Sequence, residues 1–370
     1  MIKQFSYNAS AVDAQGINII EGALALARQT YEKAKDSDYD AKNIVLCNTM
    51  AKYAISDTKF AARIESLPEE EQGEAARKLF GESMVRNNPT VKANFEIVLA
   101  QVVNAIIPEV NNDIFSRFIA EVRQVGFGDT ALFKIESNDL FAVKEIAEGV
   151  RDGVSQPMYD DEFTVNCHPV HIQTHIDWYP FVSGRFDMGY FAVKVARSFA
   201  AYIFLKSING LAQATTLYGA AYQINGIAAD DWTELAEKVR AANGGMSVVA
   251  IGTRTALSSA VLNGNYQVEV GLEMQKTGFL DQFQGVPLLA IDNVLVPGTT
   301  NSTAQLALAS DRIWMIPVGG DKPVKIVFEG DQISLTEEPK ETTDVRLGLN
   351  VNLRLGVSAI VGSKCGTVLL

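Results

Sequence analysis

The most regular pattern in the chain lies near its end. In TDVRLGLNVNLRLGV, Val345, Leu347, Leu349, Val351, Leu353, Leu355 and Val357 alternate strictly with Asp344, Arg346, Gly348, Asn350, Asn352, Arg354 and Gly356. A period of two sustained over this length predicts one long strand with an apolar and a wet side, about 40 Å at 3.3 Å per residue. Residues 1 to about 125 carry a different period. Apolar positions recur there at three and four, as in Ile17, Ile20, Leu24 and Ala27, which predicts a helical N-terminal region. Ser66-Leu67-Pro68-Glu69 has the form of a capping box, and a second helix is expected from Thr90 towards Pro108, with Asn87-Asn88-Pro89 between the two.

From Phe133 the period shortens to two. Phe133 and Ile135, then Phe163, Val165 and Cys167, alternate with polar neighbours as strands do. The polar connection Asn138 to Asp161, with Gly149, Gly153 and Pro157, would join them into an extended hairpin. Asp187 to about Leu217 contains no proline, is dense in alanine and aromatics, and is apolar on nearly every face. That predicts a long buried helix of roughly 45 Å, suited to being a structural backbone. Asp231-Trp232-Thr233-Glu234 resembles a capping box and Asn243-Gly244-Gly245 a helix stop, followed by a buried strand from Met246 to Ile251. No internal repeat or low-complexity tract stands out.

Composition narrows the function classes. A chain of 370 residues with 47% hydrophobic residues can bury a substantial core. Forty-four acids against thirty-two bases give a net charge of -12, so contact with a phosphate backbone should be loose. Cys47, Cys167 and Cys365 are an odd count without paired spacing, which fits a reducing compartment and synthesis inside the cell. MIKQFSYNAS has no apolar core of a secretory signal, and Lys194, Arg197 and Lys206 interrupt the most apolar long segment, so no membrane partner is expected.

Candidate chemistry concentrates in CHPVHIQTH, which holds every histidine of the chain: His168, His171 and His175. On a helix, His171 and His175 would share a face and could bind zinc. Pro169 and the β-branched Val165, Val170, Ile172, Thr174 and Ile176 favour a strand instead. The apolar phase flips at Pro169, as a bulge would make it, and all three histidines then fall on the polar face. On a strand, His171 and His175 stand roughly 13 Å apart, too far for one ion. No metal site within one chain is expected, although histidines of symmetry-related chains could still converge. The phosphate-binding loop, the zinc-protease helix and the nucleophile elbow are all missing, and Gly126-Phe127-Gly128 precedes a strand rather than following one. Gly319-Gly320-Asp321 reads as a turn, Asp160, Asp161 and Glu162 as solvated loop acids, and Lys144 with Glu145 and Glu148 as a charged face. Tyr190, Phe191, Phe199, Tyr202 and Phe204 read as core or subunit packing. No catalytic, cofactor-binding or metal residue is assigned, no cofactor is expected, and the chain reads as a non-enzyme.

From about Asp129 to Leu370 the order of elements resembles the major capsid proteins of tailed double-stranded DNA bacteriophages, the Hong Kong phage capsid fold. FAVKEIAEG and the return arm DEFTVNCHPVHIQTHIDW are similar to that family's extended E-loop, with Ala147-Glu148-Gly149 near its tip. The helix from Asp187 resembles the spine helix. Asp231 to Gly245 with MSVVAIGTRTALSSAVL, then FQGVPLLAIDNVLVPGT with Gly285-Val286-Pro287, then ALASDRIWMIPV, are similar to its axial domain. The final strand with SAIVGSKCGTVL resembles the return through the peripheral domain. Each motif alone is common; their order and spacing carry the likeness.

The resemblance implies an α+β chain divided as 1–125, a helical N-terminal region; 126–183, the E-loop hairpin; 184–224, the spine helix of the peripheral domain; 225–340, the axial domain with peripheral segments; and 341–370, the returning strand. It implies a structural major capsid protein whose pentamers and hexamers build an icosahedral virion shell around double-stranded DNA, made in the cytoplasm of a bacterial host. Portal and scaffolding or decoration proteins are the implied partners, and a protein-filled encapsulin-like compartment is the alternative. A hairpin unable to cover its own arms would lie on a neighbouring copy. Some family members cross-link a lysine of the E-loop to an asparagine near the last strand, aided by a glutamate. Lys144 and Asn350 or Asn352 are the nearest counterparts, but the strand's polar face carries no glutamate, so non-covalent shells are expected. The helical N-terminus does not match the family's simple extended arm; it is expected to be retained and to brace the shell or reach adjacent subunits.

Overall fold

The computed structural model describes residues 14–106, 118–136, 143, 145, 159–217, 219–260, 275–299, 302–337, 346–359 and 362–370. Six helices open the chain: α1 (Ala14–Tyr31), α2 (Tyr39–Ser56), α3 (Ala62–Glu65), α4 (Glu69–Leu79), α5 (Ser83–Arg86) and α6 (Pro89–Ile106). Strands β1 (Ala120–Val125), β2 (Ala131–Glu136), β3 (Tyr159–Val165) and β4 (His168–Asp177) follow, then α7 (Trp178–Val182) and the 30-residue α8 (Met188–Leu217). The remainder comprises β5 (Gln223–Asn225), α9 (Ala229–Ala242), β6 (Val248–Gly252), α10 (Arg254–Leu257), β7 (Gln282–Phe283), β8 (Val286–Ala290), β9 (Arg312–Pro317), β10 (Val324–Glu337), β11 (Arg346–Ala359) and β12 (Gly366–Leu369). Helices and mostly antiparallel sheets thus coexist in an α+β chain. Its sheets run β1-β10-β11-β4, β5-β12-β9-β6-β8-β7 and β2-β3.

The chain divides into two units. The first holds residues 1–111, 168–200 and 329–355. Its core joins the N-terminal helices to the sheet: Phe80, Phe95, Trp178 and Phe181 pack as an aromatic box, with Phe80 stacked on Trp178 at 5.1 Å and Phe95 edge-on to Phe181 at 5.4 Å. Ile176 and Val351 from the paired strands β4 and β11 close that core from the sheet side. Such rings bury large apolar areas and favour offset and edge-on contact. The N-terminal helices are therefore part of a shared core. Of the stretch expected to be helical, 1–13 and 107–117 lie outside the described residues, and 120–125 is the strand β1.

The second unit holds 112–167, 201–328 and 356–370. Trp232, Leu235 and Val239 of α9 pack on Val248, Ala250, Ile313, Met315 and Val368 of the six-stranded sheet, with Trp232 edge-on to Phe283 at 5.1 Å. Strand β6 lies between β9 and β8, which is why every one of its residues is buried and apolar or glycine. Gln284 and Gly285, both at positive φ, form the two-residue turn between β7 and β8, the geometry that tight hairpins require. Strand β12 inserts between β5 and β9, where Gly366 and Val368 fit against α9 on that unit's buried sheet.

Helix α8 spans the length the sequence predicted. It is the one described helix long and apolar enough to cross a bilayer by composition. Met188, Ala192, Val193, Ala196 and Phe199 are instead buried in the first unit's core. On this helix, expected to be apolar on nearly every face, the exposed positions include Tyr190, Lys194 and Arg197 on one side of its first half and Lys206, Asn209 and Gln213 on another side of its second half.

Candidate assembly sites

The root of the hairpin is built by β1, β2, β3 and the start of β10, all in the second unit. After the turn Gly126–Asp129, closed by Asp129 N–H to the Gly126 carbonyl at 3.1 Å, β2 pairs with β3 so that Phe133 lies opposite Phe163 and Ala131 opposite Val165. Ala131, Phe133 and Val165 form a small core with Val327 of β10. Over the Phe133 ring lie two cations, the Arg123 guanidinium at 4.2 Å and the Lys325 ammonium at 5.5 Å. Lys325 is 3% exposed and is tolerated because it pairs with Glu121, at 2.5 Å, and with Asp321. Glu121 also accepts from Arg123 Nε at 2.8 Å. Burial pushes the Glu121 carboxyl upward, but Lys325 and Arg123 outweigh it and hold the group below the usual carboxylate range. Two acids and two bases thus fix one aromatic ring of the arm. On the arm's other face Leu132 is exposed, and Lys134 lies 3.9 Å from Glu162.

A second set of polar contacts holds the start of α8 in the first unit. Asp187 accepts from Tyr190 N–H at 2.9 Å, from the Tyr39 hydroxyl at 2.7 Å and from Lys35 at 2.8 Å. A carboxylate on the first free N–H groups suits the positive end of a helix. Buried Asn43 donates to the Phe186 carbonyl at 2.7 Å and accepts from Met188 N–H at 3.1 Å. Buried Arg77 donates to Val182 O at 3.0 Å and to Asn48 Oδ1 at 2.7 Å. Gly184 adopts φ +75, and a Cβ there would stand 2.2 Å from Arg77 Nη1, so this loop requires glycine twice over. Burial pushes the Asp187 carboxyl up, but Lys35, Tyr39 and the Tyr190 amide together hold it below its ordinary value. Burial drives the Tyr39 hydroxyl and the Cys47 thiol each up to about 12, so Cys47 is a structural thiol, not a nucleophile.

The histidines lie on β4, a strand as the sequence predicted. Asn166-Cys167 separate β3 from β4; Cys167 still packs with Val165 on the small core around Phe133, and the apolar phase changes between it and Val170, across Pro169. His168, His171, Gln173 and His175 are exposed, while Ile176 is buried and Val170 and Ile172 are half-buried against the helical core. Residues 168–177 do not continue the hairpin: they pair with β11, His171 opposite Asn352 and Gln173 opposite Asn350. Among the described residues, no group of three or more His, Cys, Asp or Glu side chains is placed to hold a metal ion.

Sequence reasoning missed several participants. Glu329 of β10 accepts from Arg354 of the neighbouring β11 at 2.8 Å. Gly356 owes its small size to a close approach: a Cβ there would lie 2.7 Å from the Asn166 carbonyl and from Val165. Asp321, read as part of a turn, is a partner of buried Lys325, and Asp160 to Glu162 lie on β3 rather than in a loop. Lys144, Ala147, Glu148 and Gly149 lie outside the described residues.

Comparison with known proteins adds a lineage to this geometry. No curated protein sequence matches the chain. Among solved structures, the chain is similar to the "Asymmetric unit of bacteriophage PhiM1 mature capsid", at 12% identity and a TM-score of 0.47, over 69% of this chain and 86% of that one. It is similar to the "Satellite phage P4 procapsid including size determination (Sid) protein", at 11% and 0.42, over 82% and 98%. The "Crystal structure of virus-like particle from Pyrococcus furiosus" matches at 8% and 0.43, over 74% and 99%. A family model, that of the "SPbeta prophage-derived putative capsid protein YonB", matches residues 46–369. With the helices from α3 onward and every described strand inside that match, the chain belongs to this capsid protein family.

Proposed function

We propose that this chain is the principal shell subunit of a bacteriophage-type virion, whose copies close as pentamers and hexamers into an icosahedral container for double-stranded DNA. The observation that carries the reading is the hairpin β2–β3, fastened at its root by Phe133 and the Lys325 cluster, in a member of a capsid protein family. An arm with so firm a root serves to reach a neighbouring copy. In this reading 126–165 is the arm, 184–224 the spine, 225–328 the axial domain, and 14–106 a retained brace. The chain performs no chemistry of its own. Its net charge of -12 suits a wall along which DNA slides, with loose contact to the packaged polymer. Portal and scaffolding or decoration proteins are partners, and assembly takes place in the cytoplasm of the bacterial host.

Electron microscopy of the purified protein tests this directly. Closed shells whose contents are lost to nuclease are expected; particles filled with protein would make it an encapsulin-like compartment, and a freely tumbling monomer under every condition would end the shell reading. The shells are held without covalent links, since the polar face of the last strand carries no glutamate. Boiling in detergent should give one band at the chain's mass, and a ladder of heavier species would overturn this.

A further inference from the structure

Between Asp187 and Asp230 the chain carries no acid, although forty-four of its 370 residues are acids. The stretch does carry three bases, Lys194, Arg197 and Lys206, and all three are exposed on α8. The other described residues that α8 exposes are Tyr190, Asn209, Gln213 and Thr216, so its surface offers hydrogen-bond donors and positive charge but no carboxylate. In the first unit Tyr190, Lys194 and Arg197 form one stripe, at steps of about 6 and 4.5 Å along the helix axis. The end of α1 lies beside it. The Arg197 guanidinium stands 4.9 Å from the centre of the Tyr31 ring, and its Nη2 donates to the Tyr31 carbonyl at 3.5 Å. These contacts fix the guanidinium without cancelling its charge, which a carboxylate would cancel. Among the described residues neither Lys194 nor Arg197 is paired with an acid. The acids close by are already engaged, Asp187 by Lys35, Tyr39 and the Tyr190 N–H, and Asp36 by Gln29 and Lys42. The one further acid at the end of α1, Glu32, is followed by the exposed Lys33.

We infer that this stripe of α8 is where the shell wall touches packaged double-stranded DNA, with Lys194 and Arg197 each meeting a phosphate. The inference rests on the shell reading and names the surface behind its loose contact. A duplex carries one negative charge per about 1.7 Å of its axis, so against a chain of net charge -12 it settles only where positive charge stands unopposed. Phosphate contacts position a duplex without reading its sequence, as a container for any genome requires. Two such contacts in each copy, repeated over a shell, hold the nearest layer of duplex while leaving it free to slide. A regular row of donors on a helix suits a regular row of phosphates better than the scattered carboxylates of an acidic protein.

The test measures, by fluorescence anisotropy, binding of a labelled duplex of about 30 base pairs to the full-length chain before assembly. It compares the unaltered chain, Lys194→Gln and Arg197→Gln, with Lys238→Gln as control. Lys238 is a base of α9 in the second unit, paired with Glu234 at 2.6 Å. Each phosphate contact contributes about 0.9 to the fall of log affinity with log salt, so each α8 variant should flatten that slope by about 0.9 and weaken binding about ten-fold at about 50 mM salt. Lys238→Gln should change neither. Unaltered slope and affinity in both α8 variants would overturn the inference. So would displacement of the duplex by poly-glutamate at equal charge, which would mark an acidic protein as the partner. Circular dichroism checks the fold, and should Arg197→Gln unfold on losing Tyr31, Lys194→Gln decides on the same two criteria. Electron microscopy keeps the two readings apart. Normal shells with DNA binding indifferent to both variants would sink this contact alone, whereas DNA binding through Lys194 and Arg197 by a chain that never forms shells would sink the shell reading.

Discussion

Phe133 illustrates how one side chain can set the direction of an arm. It is buried against Val327 and lies under Arg123 and Lys325, so the hairpin cannot swing without uncovering the ring and separating Lys325 from its acids. Breaking a buried ion pair costs about 3–5 kcal/mol; with Glu121 and Asp321 part exposed, rehydration should bring Lys325→Met to about 1–3 kcal/mol. Hydrogen exchange should show this loss as faster exchange across 131–136 and 159–165, with the amides of α9 and β6 unchanged. Asp187 gives a second prediction at this scale. Its folded pKa is depressed, so its contribution is fully present above the unfolded value, near 3.9, and is lost as pH falls through the lower folded value. Acid titration of the unaltered chain should therefore show the start of α8 loosening below about pH 4, and Asp187→Asn should remove that step; an unchanged titration would refute the assignment. Neither residue's role was legible in the sequence. Lys325 and Glu121 are separated by some two hundred positions, as Asp187 and Lys35 are by about one hundred and fifty, and local pattern carries no information on such pairs.

At the scale of elements, periodicity located the pieces and local contacts fixed their ends. Helix α6 begins at Pro89, with Asn88 Oδ1 accepting from Thr90 N–H at 2.9 Å and Val91 N–H at 3.3 Å. That is a side-chain cap followed by a proline whose missing N–H costs nothing in the first turn. Asn88→Ala should lower stability by about 1 kcal/mol, read as a shift in the denaturant midpoint, and Asn88→Asp should keep most of it. The two capping boxes expected elsewhere do not form. Ser66 donates to the Arg63 carbonyl, and α4 starts from Pro68 without a side-chain cap. Thr233 donates back to Ala229, two residues inside the start expected for α9. A four-residue motif is satisfied by many arrangements; the long strand β11 and the long helix α8 were legible because each repeats its period many times. The pairing of β4 with β11 was not, because alternation gives a strand its face but not its neighbour.

For the whole molecule, the resemblance read from Asp129 onward and the family match from residue 46 describe the same lineage, but only the structure shows what the N-terminal helices do. They supply Phe80 and Phe95 to the aromatic box around Trp178 and Phe181, and Asn43 and Arg77 to the backbone ahead of α8. A chain lacking residues 1–85 would lose Phe80, Asn43 and Arg77 and expose Trp178, Phe181, Met188 and Phe199 to water. Each such side chain is worth about 1.5–3 kcal/mol of burial, and a domain's total stability is about 5–15 kcal/mol, so loss of several is not survivable. The truncated chain should aggregate on expression and yield no shells. Arg77→Ala separates bracing from simple folding. It removes one hydrogen bond to the approach of α8 and one to Asn48 of α2 and leaves the aromatic box in place, so the protein should stay folded but melt at lower temperature and give fewer closed particles. Normal shells from the truncated chain would show instead that α1 to α5 are an appendage, and that the spine helix holds its place without them.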